Sequence, residues 1–287
     1  MPVIHHLNCG TINVPAGAAL IGTGSFFKPA RGVTHCILAE TDDGLLLVDT
    51  GFGTRDCLTP TLFMRLMILM CGWPRDLDET ATKQIEQLGY TPEDVRHIVL
   101  THFHYDHPGG LPDFPQAKVH IYREEYEAVT QPRDIYERYS YRAEHWVHGP
   151  DWVVHDLAGD RWFGFDCTPM VNLGSVAFCL VPLTGHSRGH SGIALRLGNK
   201  WILHCGDAYT YHQDVDPYDP QPPPYQHTLR HFVNLNKAMR PIGKHSPRLR
   251  TLLREHGDAV QLTCSHDPHE LNKFQAQEDS HRHATNI

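Results

Sequence analysis

Short apolar runs separated by Gly, Pro, Asp and Asn give the chain its rhythm. Positions 33–38 alternate loosely and read as a strand. Thr41-Asp42-Asp43-Gly44 makes a turn, and the run 45–48 reads as a buried strand, so the two form a hairpin. Further strands are predicted at 95–100, 118–122, 176–183 and 259–263. A second hairpin, 192–197 with 201–205, folds about Gly198-Asn199-Lys200. Helical spacing predicts helices at 79–88 (stopped by Gly89), 123–129, 227–239, and from Ser246-Pro247 to Gly257, where proline suits the first turn.

Four stretches escape this scheme. Residues 1–32 are rich in Gly and Pro and predict loops and short edge strands. The segment 61–73 is apolar almost all round, with Arg65 its one charge. Such a helix is buried or meets an apolar partner; it reads equally as core, as a lid or wall over a pocket, or as a dimer contact. Residues 130–165 carry many aromatics without a period and read as an insertion near the mouth of a site. The stretch 214–226 is acidic, proline-rich and predicted to be a rigid surface loop. From Gln275 the chain is polar, which predicts one domain over 1–274 and a disordered tail over 275–287.

The densest chemistry lies at His102-Phe103-His104-Tyr105-Asp106-His107, between the strand 95–100 and Pro108-Gly109-Gly110. Neutral imidazoles and carboxylates are the usual donors for zinc and similar divalent ions. Residues two apart in extended chain face the same way, so His102 and His104 can grip one ion. Asp106 and His107 follow where the chain turns and can face a second. The chain holds 23 histidines, so isolated ones carry little weight. His145, His148 and His155 lack ligand spacing and read as solvent or pocket histidines.

Composition narrows the partners. With 287 residues, 40% hydrophobic and 20% charged, the chain can bury a sizeable core. A net charge of −8 disfavours a nucleic-acid partner. The eight cysteines are scattered with no CxxC pair and read as reduced thiols of a cytoplasmic protein. No signal peptide or membrane span is evident.

The series His102-x-His104-x-Asp106-His107 resembles the metal signature of the metallo-β-lactamase superfamily, and further motifs in the same order extend the resemblance from about Val33 to His266. Asp49-Thr50-Gly51 resembles an Asp-x-Gly of that family whose Asp supports the metal loop by hydrogen bonds. Gly185-His186-Ser187-Arg188-Gly189-His190 resembles its second histidine motif, which implies His190 as ligand and a supporting role for His186. Gly206-Asp207 implies a bridging carboxylate. Cys264-Ser265-His266-Asp267 implies His266 as the last ligand, with His269 as fallback. The implied fold is a four-layer αβ/βα sandwich, two mixed sheets with helices outside.

The resemblance implies two divalent ions, zinc first and Mn2+, Co2+ or Fe2+ after it. One would be held by His102, His104 and His190, the other by Asp106, His107 and His266, with Asp207 between. Such ions make hydroxide available at neutral pH, able to attack an ester or lactone carbonyl. Asp106 then reads as both ligand and proton shuttle. Within the superfamily the chain most resembles the N-acyl-homoserine lactonases, which carry a substrate-contacting tyrosine after the bridging Asp; Tyr209 and Tyr211 flank that position. The implied substrate is a small ester or lactone with an apolar acyl part. A glyoxalase II-like thioesterase ranks below, lacking a separate C-terminal substrate domain. A β-lactamase lacks the Asp207 bridge, and a nuclease conflicts with the acidity. An iron-dependent persulfide dioxygenase would leave Asp106, His107 and His266 unused, and a non-catalytic binding protein would have lost ligands.

Overall fold

The computed structural model describes residues 2–14, 28–73, 75–223 and 242–285. The chain begins with β1 (Ile4–Asn8), β2 (Ile12–Val14), β3 (Ala30–Gly32), β4 (His35–Thr41) and β5 (Gly44–Val48). Helices α1 (Thr54–Leu58), α2 (Leu62–Cys71) and α3 (Ala81–Gln87) lead to β6 (Val95–Val99), β7 (Lys118–Tyr122), α4 (Arg123–Thr130) and α5 (Ile135–Ser140). Then come β8 (Asp151–His155), β9 (Asp160–Trp162), β10 (Phe165–Cys167), β11 (Val171–Leu173), β12 (Val176–Pro182), β13 (Ser191–Leu197) and β14 (Lys200–His204). Helix α6 (Ser246–His256), β15 (Val260–Thr263) and helix α7 (Pro268–Thr285) follow.

One sheet has the order β1-β4-β5-β6-β7-β8, with β1, β4 and β5 antiparallel and β5 through β8 parallel. The other has the order β11-β12-β13-β14-β15, antiparallel except for its last pair. Period-two alternation sorts the side chains into layers. In β4 and β5, Ile37, Ala39, Leu46 and Val48 face Phe178, Leu180, Ile193 and Leu195 of the second sheet. Their neighbours Cys36, Leu38, Leu45 and Leu47 face outward, onto Ala81 and Ile85 of α3. Beyond the second sheet, Cys179, Val181 and Leu203 pack on Leu249 and Leu252 of α6. Helix, sheet, sheet, helix is the layering the sequence implied. The described cysteine side chains are buried free thiols.

Four stretches depart from the sequence reading or refine it. The stretch expected to be a disordered tail is helical as far as it is described: α7 runs from Pro268 to Thr285 and docks on β1. Leu271 and Phe274 are buried, the Gln275 side-chain amide donates to the His6 carbonyl (2.8 Å), and Glu278 pairs with His5 (2.8 Å). The aromatic segment is more than an insertion, since its β8 completes the first sheet beside β7. Helix α2 buries Met64 near Phe52, Cys57 and Trp73, yet leaves Leu62, Leu66, Leu69 and Met70 exposed; it is neither plain core nor fully covered. The acidic stretch roots itself through buried Asp214, which accepts from Ser246 Oγ (2.6 Å), and reaches the surface from Tyr218. The expected helix 227–239 lies outside the described residues.

Candidate metal centre

The strand ends of both sheets converge on one edge. After β6, Thr101 to His107 form the first ligand loop. It is held from below by Asp49, at the end of β5. Asp49 sits at φ 54°, a left-handed conformation uncommon for non-glycine residues, which Asp adopts more readily than most. Its carboxylate accepts from Thr101 N (2.8 Å) and Thr101 Oγ1 (2.7 Å) and pairs with His107 Nδ1 (2.8 Å). These contacts fix the ring of His107, so that Nε2 points into the cluster. Thr50 holds the far side, with its N–H and its hydroxyl both donating to the His107 carbonyl (2.8 Å each).

Two sets of side chains result. His102 Nε2, His104 and His186 form one, with His104 Nδ1 and His186 Nε2 2.7 Å apart. Asp106, His107 and His266 form the other, and His266 Nε2 lies 3.6 Å from Asp106 Oδ2. Asp207 stands between them. Its Oδ2 is 3.1 Å from His186 Nε2 and 3.9 Å from His102 Nε2; its Oδ1 is 3.4 Å from His107 Nε2 and 3.2 Å from His266 Nε2. In each set the donor atoms lie within 4.8 Å of one another.

The expected role of His190 is corrected by this geometry. His190 is fully buried with both ring nitrogens engaged: Nδ1 donates to the Leu183 carbonyl (3.1 Å) and Nε2 accepts the backbone N–H of Asp207 (2.9 Å). No lone pair is left for an ion. His186 stands in the cluster beside His102 and His104, and His190 supports Asp207 from behind. Gly206, at φ 53°, makes room for this, because a Cβ there would lie 2.6 Å from His190 Nε2.

Tyr209 and Tyr211, the expected substrate-contacting tyrosines, have these surroundings. Tyr209 is fully buried and donates to Glu270 Oε1 (2.9 Å), on the core side of the site. Tyr211 donates to Gln213 Oε1 (2.5 Å). Neither hydroxyl is brought into the two sets. His269, the fallback ligand, stacks on His212 at 4.1 Å instead. His145 pairs with buried Asp56 (3.2 Å), and His155 ends a chain of imidazoles, His97 to His120 (3.0 Å) to His155 (2.9 Å), across β6, β7 and β8.

The donor set fits divalent ions. His102 Nε2, His107 Nε2 and Asp207 Oδ1 are buried without a hydrogen-bond partner among the described residues. Buried polar atoms are normally satisfied, and a cation between them would do so. Burial drives the imidazoles of His102 and His104 well below the usual range, keeping them neutral. Burial alone would raise the Asp207 carboxyl, but His266, His107 and His186 hold it well below normal. His266 is pushed up to about 9: Asp207 and Asp106 outweigh its burial and demand positive charge there. His102, His104 and Asp207 thus stand in the forms that bind zinc, while His107 and His266, both raised, would release a proton as an ion binds.

Comparison with known proteins agrees. The metallo-beta-lactamase superfamily model matches residues 29–243. A probable metallo-hydrolase of Mycobacterium tuberculosis is 40% identical over 270 residues, 92% of this chain and 80% of the relative. An N-acyl homoserine lactonase of a Bacillus species is 35% identical over 128 residues, 42% of this chain and 51% of the lactonase. Among solved structures, a Bacillus thuringiensis variant with N-decanoyl-L-homoserine at its active site superposes with TM-score 0.63 at 18% identity, covering 95% of this chain and 97% of the other. A dizinc quorum-quenching lactonase with its product gives TM-score 0.55 at 16% identity, covering 92% and 87%. No described helix is long and apolar enough to cross a membrane. The chain belongs to the metallo-β-lactamase superfamily and is a metal-dependent hydrolase.

Proposed function

We propose that the protein is a binuclear hydrolase of lactones, with N-acyl homoserine lactones as the substrate class. The observation that carries this reading is the placement of Asp207, whose two oxygens face two separate sets of donors. The first ion would be held by His102, His104 and His186, the second by Asp106, His107 and His266. Zinc suits this mixture of imidazole and carboxylate. Divalent ions bound there would supply a water nucleophile at neutral pH and polarise the carbonyl under attack.

The chain's own residues do the rest. Asp207 fixes the spacing of the two sets. Asp106 lies 3.8 Å from His107 Nε2; its carboxylate would take the proton released by the attacking water and pass it to the leaving alkoxide as the ring opens. Tyr105 and Phe63 stand edge to face at 6.3 Å beside the ligand loop and offer an apolar wall for an acyl chain. The product-bound lactonases that share this fold support the substrate class. The buried free thiols support a reducing, cytoplasmic setting, and the exposed leucines of α2 fit contact with a second copy.

The test is metal analysis of the purified protein together with hydrolysis of acyl-homoserine lactones, an aryl ester, S-lactoylglutathione and a β-lactam. Two ions per chain and lactone turnover that vanishes in Asp106→Asn are expected. One iron per chain with oxygen uptake on a persulfide, and no hydrolysis, would overturn the reading.

A further inference from the structure

Glu125 lies in the first turn of α4, is fully buried, and belongs to neither donor set. Its Oε1 accepts the backbone N–H of Phe103 at 3.0 Å. Its Oε2 accepts from Ser187 Oγ at 2.7 Å and from the backbone N–H of Gly189 at 2.9 Å. Phe103 sits between His102 and His104, while Ser187 directly follows His186. One carboxylate therefore joins the two loops that carry the first set. Among the described residues no Lys or Arg pairs with it, so these three donors hold a buried carboxylate in place. Gly189 lets the loops close on this point: a Cβ there would lie 2.0 Å from the backbone nitrogen of Glu125.

We infer that Glu125 is a positioning residue, which sets the distance between the loop of His102 and His104 and the loop of His186 and so tunes metal affinity at that set. The inference rests on the binuclear reading above. The reason is geometric. The ligand nitrogens of His104 and His186 come from loops 82 residues apart in sequence, yet lie 2.7 Å apart. No shared strand fixes that spacing; one backbone bond, from the Ser191 N–H to the Thr101 carbonyl (3.0 Å), joins the far ends of the loops, and Glu125 hydrogen-bonds to both loops beside the ligand residues. A glutamine fits the same space but carries one acceptor and one donor. Whichever way its amide turns, its NH2 faces the N–H of Phe103 or of Gly189, and that contact is lost.

The experiment is a chelator competition for zinc on wild type, Glu125→Gln and Ser187→Ala, with folding followed by circular dichroism. Substituting residues that orient ligands typically costs about 10–100-fold in metal affinity. A loss of that size is expected at one of two sites in Glu125→Gln, with the other site unchanged and a shifted visible spectrum in the cobalt-loaded protein. Ser187→Ala, which removes one donor of three, is expected to lose less. Wild-type affinity at both sites in folded Glu125→Gln would overturn the inference, as would an equal loss at both sites tracking a lower melting temperature. If Glu125→Gln does not fold, a folded Ser187→Ala with unchanged zinc affinity overturns it. Wild-type protein that holds two zinc ions but opens no lactone would overturn the substrate reading and leave the inference about Glu125 standing.

Discussion

His190 holds Asp207 from behind, its Nε2 accepting the Asp207 backbone N–H at 2.9 Å. His186 meets the same residue from the front, Nε2 to Oδ2 at 3.1 Å. Two histidines four positions apart thus hold one aspartate, His190 through its backbone N–H and His186 through its carboxylate. His190→Ala is expected to leave a buried N–H unsatisfied and to lower stability by ~1–3 kcal/mol, while two ions still bind. Chemical denaturation beside metal analysis checks this; loss of an ion in folded His190→Ala would contradict it.

Tyr209 is buried in the core, where its hydroxyl meets Glu270. Its hydroxyl supplies Glu270 with one of its donors, the other being the Cys264 N–H at 2.7 Å. Tyr209→Phe is expected to cost ~1–3 kcal/mol in stability and to leave kcat/KM for a lactone within about threefold, a difference of under ~1 kcal/mol in transition-state binding. A large fall in kcat at unchanged stability would return Tyr209 to the catalytic residues.

Burial raises the Glu270 carboxyl to about 7, with Asp267 adding to the shift. A carboxyl in the unfolded chain titrates near ~4.3. Between those values the folded protein binds more protons than the unfolded one, so this group's stabilisation is present at low pH and is lost as pH rises towards 7. The stability of wild type relative to Glu270→Gln is therefore expected to fall with rising pH across that window, by up to ~1.4 kcal/mol per pH unit. Denaturation of the metal-loaded proteins at several pH values reads it. Parallel pH curves for the two proteins would refute the assignment.

Phe63 stands edge-on to Tyr105, and the Arg142 guanidinium covers its ring at 3.9 Å. Phe63→Ala is expected to lower kcat/KM for a decanoyl lactone more than for a butanoyl one. Each buried CH2 contributes ~0.8 kcal/mol, so the ratio should shift by about tenfold or more if the ring covers two methylenes. Equal losses for both lactones would place Phe63 in packing alone.

Much of this was legible in the sequence because spacing carries it. His102, His104, Asp106 and His107 follow a buried strand, while the roles of Asp49, Asp207 and His266 came from the family resemblance. Period-two runs located β4, β5, β7, β12 and β13 close to their observed bounds. The choice between His186 and His190 was not legible, since the motif does not say which ring a glycine-hinged loop turns inward. Close approaches decided it: Gly206 on His190, and Gly189 on the backbone of Glu125. Glu125 had no signal, because its partners are backbone N–H groups and a serine far away in sequence. The α7 helix was hidden by its polarity. Its docking rests on Leu271, Phe274 and polar pairs with β1, which composition cannot distinguish from a solvated tail.

The most direct test of the binuclear centre is the number of zinc ions held per chain by wild type and by His186→Ala, purified alike and analysed at equal protein concentration. Two in the wild type and one in the variant, with lactone turnover lost, is the expected result. Two ions retained in folded His186→Ala, or a single ion in the wild type, would contradict the centre described here.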